Sequence, residues 1–130
     1  MRCLGDVLAG EVSLSPVGEA VAQEWLAIPR PHPRVVLDAW GVMPDHIHGI
    51  LIFQGGTPKD GNGDSRYLRS QSLGAVLGQF KSEATKRIRR NLRRADFAWQ
   101  PRFHDTILRT LADLERVRAY IRDNPKRWSP

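Results

Sequence analysis

The sequence predicts a single α+β domain, and three observations lead to this fold class. First, 130 residues with 41% hydrophobic side chains can build one compact core without disulfides. Second, residues 35–42 and 46–53 are apolar runs of strand length, with Pro44 and Asp45 between them as a turn. Third, apolar residues recur at helical spacing in three other segments. We find no internal repeat and no second domain, so residues 1–130 are expected to form one unit.

The first elements are predicted by local signals. Weak alternation over residues 4–14 predicts a short hairpin. Ser15 is a candidate N-cap, with Pro16 at the first helical position and Glu19 in the first turn, so a helix is expected from about 16 to 28. Prolines at alternate positions after it predict an extended connector to the first long strand: Pro29, Pro31 and Pro33.

The second half begins with a run of turn-forming residues. Residues 54–66 are expected to be a mobile surface loop. A helix is predicted over 72–94, because its apolar residues form one stripe: Leu73, Val76, Leu77, Phe80, Ala84, Ile88 and Leu92. Residues 103–109 are a candidate short strand. A last helix is expected to begin at Thr110, whose spacing to Asp113 resembles a capping box, and to stop at Pro125.

Charge is distributed unevenly along the chain. Residues 1–65 carry a net charge of −4 and residues 66–130 a net charge of +10. A basic half of this kind attracts polyanions, of which nucleic acid is the commonest, although a solvated basic face without a partner has the same composition. The candidate nucleic-acid-binding side chains lie on the helix predicted over 72–94: Lys81, Lys86, Arg87, Arg89, Arg90, Arg93 and Arg94.

Composition also favours a cytoplasmic protein. Cys3 is the single cysteine, so an internal disulfide is excluded and a reducing compartment is expected. The longest strongly apolar stretch, around 47–53, is too short to span a bilayer, and the first ten residues lack the apolar segment of a signal peptide. We therefore expect no membrane association.

Two histidines, His46 and His48, are separated by one residue in the second predicted strand. Because side chains alternate between the faces of a strand, both imidazoles should project to the same side while Ile47 projects to the other. Two imidazoles at this spacing can bind one metal ion. A polar strand face or a pair of hydrogen-bonded core histidines is the simpler alternative, and the spacing alone does not decide between them.

Tyr120 and Asn124 are four residues apart in the last predicted helix and therefore share a face. A tyrosine at the edge of the apolar stripe with its hydroxyl in water is the ordinary interpretation. In the functional interpretation, the amide oxygen of Asn124 completes a metal site while the phenol faces a bound phosphate. Two imidazoles and an amide oxygen suit Mg²⁺ or Mn²⁺ better than structural zinc. Since Asn124 precedes Pro125, this ligand is expected at a frayed helix end.

Several motifs together resemble the HUH single-tyrosine transposases, in particular the REP-associated tyrosine transposases. The resemblance extends over about residues 2–128. The matching segments are Val42-Met43-Pro44-Asp45-His46-Ile47-His48-Gly49-Ile50, Gly78-Gln79-Phe80-Lys81-Ser82, Trp99-Gln100-Pro101-Arg102-Phe103-His104-Asp105, Ile107-Leu108-Arg109 and Arg118-Ala119-Tyr120-Ile121-Arg122-Asp123-Asn124-Pro125.

The resemblance implies a function and a set of site residues. It implies that His46 and His48 are metal ligands, that Asn124 is the third protein ligand, and that Tyr120 is the nucleophile. The implied enzyme uses Mg²⁺ or Mn²⁺ to cleave single-stranded or hairpin DNA through a 5′-phosphotyrosine intermediate, as a monomer or homodimer near the nucleoid. Arg102 joins the candidate DNA-binding residues.

The resemblance also implies a ferredoxin-like antiparallel sheet, with helices on one face and the tyrosine-bearing helix at the end. Residues 2–7 resemble the stretch after the family's first strand, so that strand has no counterpart here. Three explanations are open: the chain start is misassigned or truncated, the hairpin within residues 1–14 fills the space of the strand, or the protein is a degraded remnant.

Two other classes of protein share part of this pattern. A non-catalytic nucleic-acid-binding remnant retains the basic helix, and a nicking assay on hairpin DNA separates it from the enzyme. A metal-dependent hydrolase unrelated to DNA retains only the histidine pair, and the basic half argues against it. His32 and His104 are expected at the surface or at strand ends rather than as ligands, and Trp99 is expected to pack or to stack on a base.

Overall fold

The computed structural model describes residues 3–54, 73–94, 97–99 and 108–128. These residues form two antiparallel hairpins and three helices, which confirms the α+β class. In chain order the elements are β1 (Gly5–Leu8), β2 (Glu11–Leu14), α1 (Pro16–Leu26), β3 (Val35–Met43), β4 (His46–Phe53), α2 (Leu73–Asn91) and α3 (Leu111–Arg127). The predicted loop at 54–66, apart from Gln54, and most of the predicted strand at 103–109 lie outside the described residues, as do Arg102 and His104.

The first hairpin agrees with the prediction for residues 4–14. β1 and β2 pair from Gly5 opposite Leu14 to Leu8 opposite Glu11. The two residues between the strands, Ala9 and Gly10, have φ values of 54° and 78°. Positive φ at both positions is the backbone of a tight two-residue hairpin turn, and glycine adopts it without steric cost.

Helix α1 begins as the sequence predicts. The side chain of Ser15 accepts a hydrogen bond from the Gly18 amide at 3.1 Å, and Pro16 occupies the first turn. The Ser15 hydroxyl also donates to the Cys3 carbonyl at 2.5 Å, which ties the helix start to the first hairpin.

The predicted extended connector after α1 is wrong. Residues 27–31 form turns, with the Ile28 amide bonded to the Trp25 carbonyl at 3.1 Å and the Arg30 amide to the Ala27 carbonyl at 3.0 Å. The φ of proline near −65° is common to turns and extended chain, and the Ile28 and Arg30 amides, which are not proline nitrogens, can still donate the hydrogen bonds that close these turns.

Strands β3 and β4 form the hairpin that carries the histidines. They pair from Val35 opposite Phe53 to Met43 opposite His46. The register shifts between Leu37 and Trp40, which is a β-bulge. Asp38, which bonds to the last helix, lies within this bulge.

The two faces of this hairpin pack against different helices. On one face, a Cβ added at Gly49 would lie 2.5 Å from Trp25 of α1, and Trp25 packs on Phe80 of α2 with ring centroids 5.3 Å apart. On the other face, the Cβ position of Gly41 lies 4.0 Å from Ile121 of α3. Since neighbouring strand positions face opposite ways, α1 and α2 cover one side of the hairpin and α3 covers the other.

Helix α2 presents the predicted apolar stripe to the core. Four of its residues are fully buried: Val76, Phe80, Ala84 and Ile88. Of these, Val76, Phe80 and Ile88 join Val21, Trp25 and Val42 in one hydrophobic cluster. The helix ends with Arg93 at a φ of 55° and the Arg94 amide bonded back to the Ile88 carbonyl, which is a common helix termination.

Helix α3 begins as predicted, because Thr110 caps it by accepting from the Asp113 amide at 3.0 Å. It does not stop at Pro125, however. The helix continues to Arg127 with Pro125 inside it, so Asn124 belongs to the helix rather than to a frayed end. Proline removes one backbone hydrogen-bond donor from a helix. Because Pro125 lies two residues before the helix end, the loss of this donor does not prevent the last residues from remaining helical. Within the described ranges, no helix is both long and apolar enough to cross a membrane.

The packing of Gly49 against two tryptophans leads to a stability prediction. A Cβ at Gly49 would lie 2.5 Å from Trp25 Cζ2 and 2.9 Å from Trp40 Cβ, so Gly49→Ala is expected to destabilise the protein by about 1–3 kcal/mol through overpacking. The control is Gly78→Ala in α2, where no atom of the described residues outside the local helix backbone lies within 4 Å of the added Cβ, and alanine should stabilise the helix by roughly 0.5–1 kcal/mol. Urea unfolding measures both values, and equal stability of the two variants would contradict the packing.

Candidate functional site

The histidine pair lies on the face of β4 that α3 covers. The ring centroids of His46 and His48 are 5.4 Å apart, with the rings nearly perpendicular. Ile47 projects to the opposite face and packs against the hydrophobic cluster. The alternation expected from the His-x-His spacing therefore holds, and both imidazoles project to the same side.

His46 is exposed and has a carboxylate partner next to it in sequence. Its Nδ1 lies 2.7 Å from Oδ1 of Asp45. Its ring centroid lies 6.3 Å from that of Trp128, the residue that caps the end of α3. Neither Asp45 nor Trp128 was predicted from the sequence as a neighbour of His46. The position of Asp45 directly before His46 could have indicated the contact between these two side chains.

His48 is half-buried, and its environment keeps it neutral. Burial of the imidazole, together with the positive charge that His46 can carry, lowers the pKa of His48 from 6.5 to about 4. Its Nε2 is buried without a hydrogen-bond partner in the described part of the chain. A Cβ on Gly41, opposite His48 in β3, would lie 3.3 Å from this nitrogen, so glycine leaves room for the ring. A neutral imidazole is the form that binds metal ions.

Tyr120 and Asn124 reach the histidines from α3. The Tyr120 ring centroid lies 6.2 Å from that of His48, and Tyr120 is 57% exposed. The amide nitrogen of Asn124 lies 3.5 Å from His48 Nδ1. The fold thus brings two pairs of residues, more than 70 positions apart in sequence, to one place, as a shared site requires.

Helix α3 is held on β3 by an ion pair. Arg118 donates two hydrogen bonds to the Asp38 carboxylate, at 2.8 and 2.7 Å, and a third to Glu115 at 2.8 Å. The hydrogen bonds from Arg118 lower the pKa of Asp38 to about 2, and those that it donates raise the pKa of Arg118 above its ordinary value. Because Arg118 lies two residues before Tyr120, this pair fixes the tyrosine relative to the histidine strand.

The donor atoms fit a divalent cation bound by few protein ligands. Two ligands that each lie about 2.1 Å from one ion at the octahedral angle of about 90° are about 3.0 Å apart, so the 3.5 Å between the Asn124 amide and His48 Nδ1 is about 0.5 Å wider than this ideal spacing. The amide oxygen and nitrogen are interchangeable by a flip. Among the described residues, no group of three His, Cys, Asp or Glu side chains is arranged to hold a metal ion.

A groove of about 610 Å³ opens beside the histidine site. It lies between β2, β3 and α3, and His48, Gly41, Arg122 and Lys126 are among its lining residues. The size is within the range of ligand pockets. Two basic residues that the sequence analysis did not select, Arg122 and Lys126, line this groove together with Glu11, and Arg122 pairs with Asp123 at 3.2 Å.

The basic residues predicted to bind nucleic acid are divided by the structure. Arg87 is bonded to Glu24 and Gln23 of α1, and Arg89 to the Phe97 carbonyl. Lys86 pairs with Glu83, and Lys81 lies 6.0 Å from the Trp99 ring centroid. Arg94 is exposed and interacts with another group of the protein. Arg90 and Arg93 are also exposed, and their side chains make no hydrogen bond or ion pair to described residues. Because α2 packs on α1, these residues lie across the hairpin from Tyr120.

The lowered pKa of His48 leads to a prediction for titration. In the metal-free protein, the His48 ring should remain neutral from pH 8 down to about 4, since its pKa is about 4 rather than 6.5. Between pH 6.5 and pH 4 the unfolded state binds more protons at His48 than the folded state does. The contribution of the neutral His48 ring to the stability of the fold is therefore complete above pH 6.5 and is lost as the pH falls towards 4. NMR titration of the ring measures this directly, and a midpoint near 6.5 would show that His48 is not shielded.

Comparison with known proteins finds a bacterial relative but no family. No protein-family model matches the chain, and no solved structure matches it. The chain is 28% identical over 143 residues to an uncharacterized protein of Haemophilus influenzae, an alignment that covers 98% of this chain and 75% of the relative. The similarity extends along the whole described fold, including the strand and helix that form the candidate site.

Proposed function

We propose that this protein is a divalent-cation-dependent, single-tyrosine DNA strand transferase of the HUH type. The observation that carries the proposal is the position of Tyr120, whose ring lies 6.2 Å from the ring of His48, with Asn124 on the same helix face. A paired-histidine site next to an exposed phenol suits covalent phosphoryl transfer. The ferredoxin-like arrangement of the sheet, and a cytoplasmic place near the nucleoid, belong to this proposal.

The proposed reaction exchanges one phosphodiester bond for another. The Tyr120 oxygen attacks the scissile phosphorus, the bond to the 3′ oxygen breaks, and a 5′-phosphotyrosine and a free 3′-hydroxyl result. The phenolic proton passes to solvent, which reaches Tyr120 because this residue is 57% exposed, and solvent supplies the proton that the leaving 3′ oxygen takes up. Attack of another 3′-hydroxyl on the phosphotyrosine reverses the step and joins the strands without an external energy source.

His46, His48 and Asn124 would hold the cation. A bound Mg²⁺ or Mn²⁺ supplies polarisation of the phosphate and stabilises the charge on its oxygens. The protein contributes a neutral His48, an exposed His46 and an α3 fixed by the pair of Arg118 with Asp38. These features hold the ligands and the nucleophile in one geometry before DNA binds. Such preorganisation lowers the activation barrier of the reaction.

The proposal is tested by a nicking assay on single-stranded and hairpin DNA oligonucleotides in the presence of Mg²⁺ or Mn²⁺. We expect cleavage that leaves a free 3′-hydroxyl and protein attached to the 5′ end. Binding to hairpin DNA without cleavage under any of these conditions would favour the non-catalytic remnant. Absence of both binding and cleavage would favour a function unrelated to DNA.

The two α2 arginines without described partners give a prediction for binding. For Arg90→Ala/Arg93→Ala, we expect weaker DNA binding and a log–log salt dependence whose slope falls by about 0.7 for each phosphate that the variant no longer neutralises. Arg30→Ala, at an exposed arginine in the turns after α1, is the control and should leave the slope unchanged. A titration across salt concentrations measures the slopes. Unchanged binding by the double variant would place the DNA on the α3 side, near Arg122 and Lys126.

A further inference from the structure

The Asp45 carboxylate makes a short polar contact at the candidate site. Its Oδ1 lies 2.7 Å from Nδ1 of His46. This distance is typical of a charge-assisted hydrogen bond, in which the imidazole N–H donates to the carboxylate. A carboxylate can only accept, so the proton of a neutral His46 must reside on Nδ1 when this bond is formed.

We propose that Asp45 is a positioning residue, which holds His46 in the Nδ1–H tautomer so that the Nε2 lone pair faces the cation. This inference rests on the proposed function, because it assigns a role within the same site. Metal-binding histidines commonly donate their second ring N–H to a carboxylate, which fixes the ring and makes the binding nitrogen more basic.

The contrast with His48 shows why His46 needs such a partner. His48 is half-buried, and packing near Gly41 together with Asn124 holds its ring. The His46 side chain is 44% exposed and has only Asp45 as a polar partner among the described residues, with the Trp128 ring at 6.3 Å. An exposed imidazole without a hydrogen-bond partner would rotate and exchange tautomers, which would weaken its binding to an ion.

A role in folding is a poor explanation for the contact. The Asp45 side chain is 35% exposed, and ion pairs at this exposure contribute little to stability. The two residues are adjacent in sequence, so their bond does not connect distant parts of the chain. A positioning role at the site accounts for the geometry better.

The first test reads the tautomer of His46 by NMR of the ring nitrogens, in metal-free protein at about pH 8.5, where a free imidazole is neutral. We expect the Nδ1–H form in the wild type and a mixture of tautomers in Asp45→Ala. Asp45→Asn, which retains a turn-forming residue and an acceptor oxygen, should be intermediate and guards against misfolding of the alanine variant. The control is Asp6→Asn, at an exposed aspartate of the first hairpin.

The second test measures the affinity for Mn²⁺ alone. Loss of an outer partner of this kind typically costs 10–100-fold in metal affinity. We therefore expect the Kd for Mn²⁺ to rise by about 10–100-fold in Asp45→Ala, by less in Asp45→Asn, and not at all in Asp6→Asn.

The outcomes separate this inference from the proposed function. A wild-type His46 in the Nε2–H form, or a Kd unchanged in Asp45→Ala, would overturn the role of Asp45 even if the protein cleaves DNA. If Mn²⁺ binding depends on Asp45 as expected but no DNA is cleaved, the positioning role stands and the transferase proposal fails. Absence of Mn²⁺ binding by the wild type would overturn both.

Discussion

Tyr120→Phe is expected to abolish DNA cleavage while leaving DNA binding intact. The substitution removes only the phenolic oxygen, so neither the helix nor the ring next to His48 should move. Without that oxygen no covalent intermediate can form, and the loss of a nucleophile typically reduces the rate by several orders of magnitude. We expect a reduction of at least about a thousandfold. A nicking assay under single-turnover conditions measures the rate, and a gel-shift titration measures binding.

The sequence offers a matched control for this experiment. Tyr67 is the second of the two tyrosines, and Tyr67→Phe makes the same chemical change elsewhere in the chain. This variant should cleave at the wild-type rate. Full cleavage by Tyr120→Phe would place the nucleophile elsewhere, and loss of cleavage in both variants would show that the effect is not specific to the site.

Removal of the divalent cation is expected to have an effect of similar size. Exhaustive chelation should abolish cleavage, and added Mg²⁺ or Mn²⁺ should restore it. His46→Ala and His48→Ala should each reduce the rate at a fixed Mn²⁺ concentration by at least about a hundredfold, because even outer partners of metal ligands contribute 10–100-fold. The rate as a function of Mn²⁺ concentration measures the effect in each variant.

A third histidine provides the control for these variants. His32 lies in the turns after α1, outside the candidate site, and His32→Ala should require no more Mn²⁺ than the wild type. Full activity after chelation would reject the role of the metal. Equal Mn²⁺ requirements in all three histidine variants would reject these two ligands.

Local signals predicted most elements of the fold. Ser15 and Thr110 cap their helices, and the first two strands form the hairpin that was expected over residues 4–14. These features depend on residues a few positions apart, so the sequence displays them directly. The two errors, the connector after α1 and the stop at Pro125, came from treating prolines as signals of extended chain, although their neighbours can still form turns or continue a helix.

The candidate site was predictable only in part. The spacing of His46 and His48, and that of Tyr120 and Asn124, each place two side chains on one face of an element. The histidine strand and helix α3 meet through a contact between residues 80 positions apart, the ion pair of Arg118 with Asp38. The position of Asp38 depends in turn on the β-bulge that contains it. No local pattern marks such a contact. The position of α2 across the hairpin was equally unpredictable, since it follows from the packing of Trp25 on Phe80.

Covalent capture of DNA tests the central idea most directly. The wild-type protein would be incubated with a hairpin oligonucleotide and Mn²⁺, digested with a protease, and analysed by mass spectrometry for a peptide that carries a nucleotide. We predict a 5′-phosphate ester on Tyr120, dependent on Mn²⁺ and absent from Tyr120→Phe. Cleavage without any adduct, or an adduct on another residue, would contradict the account.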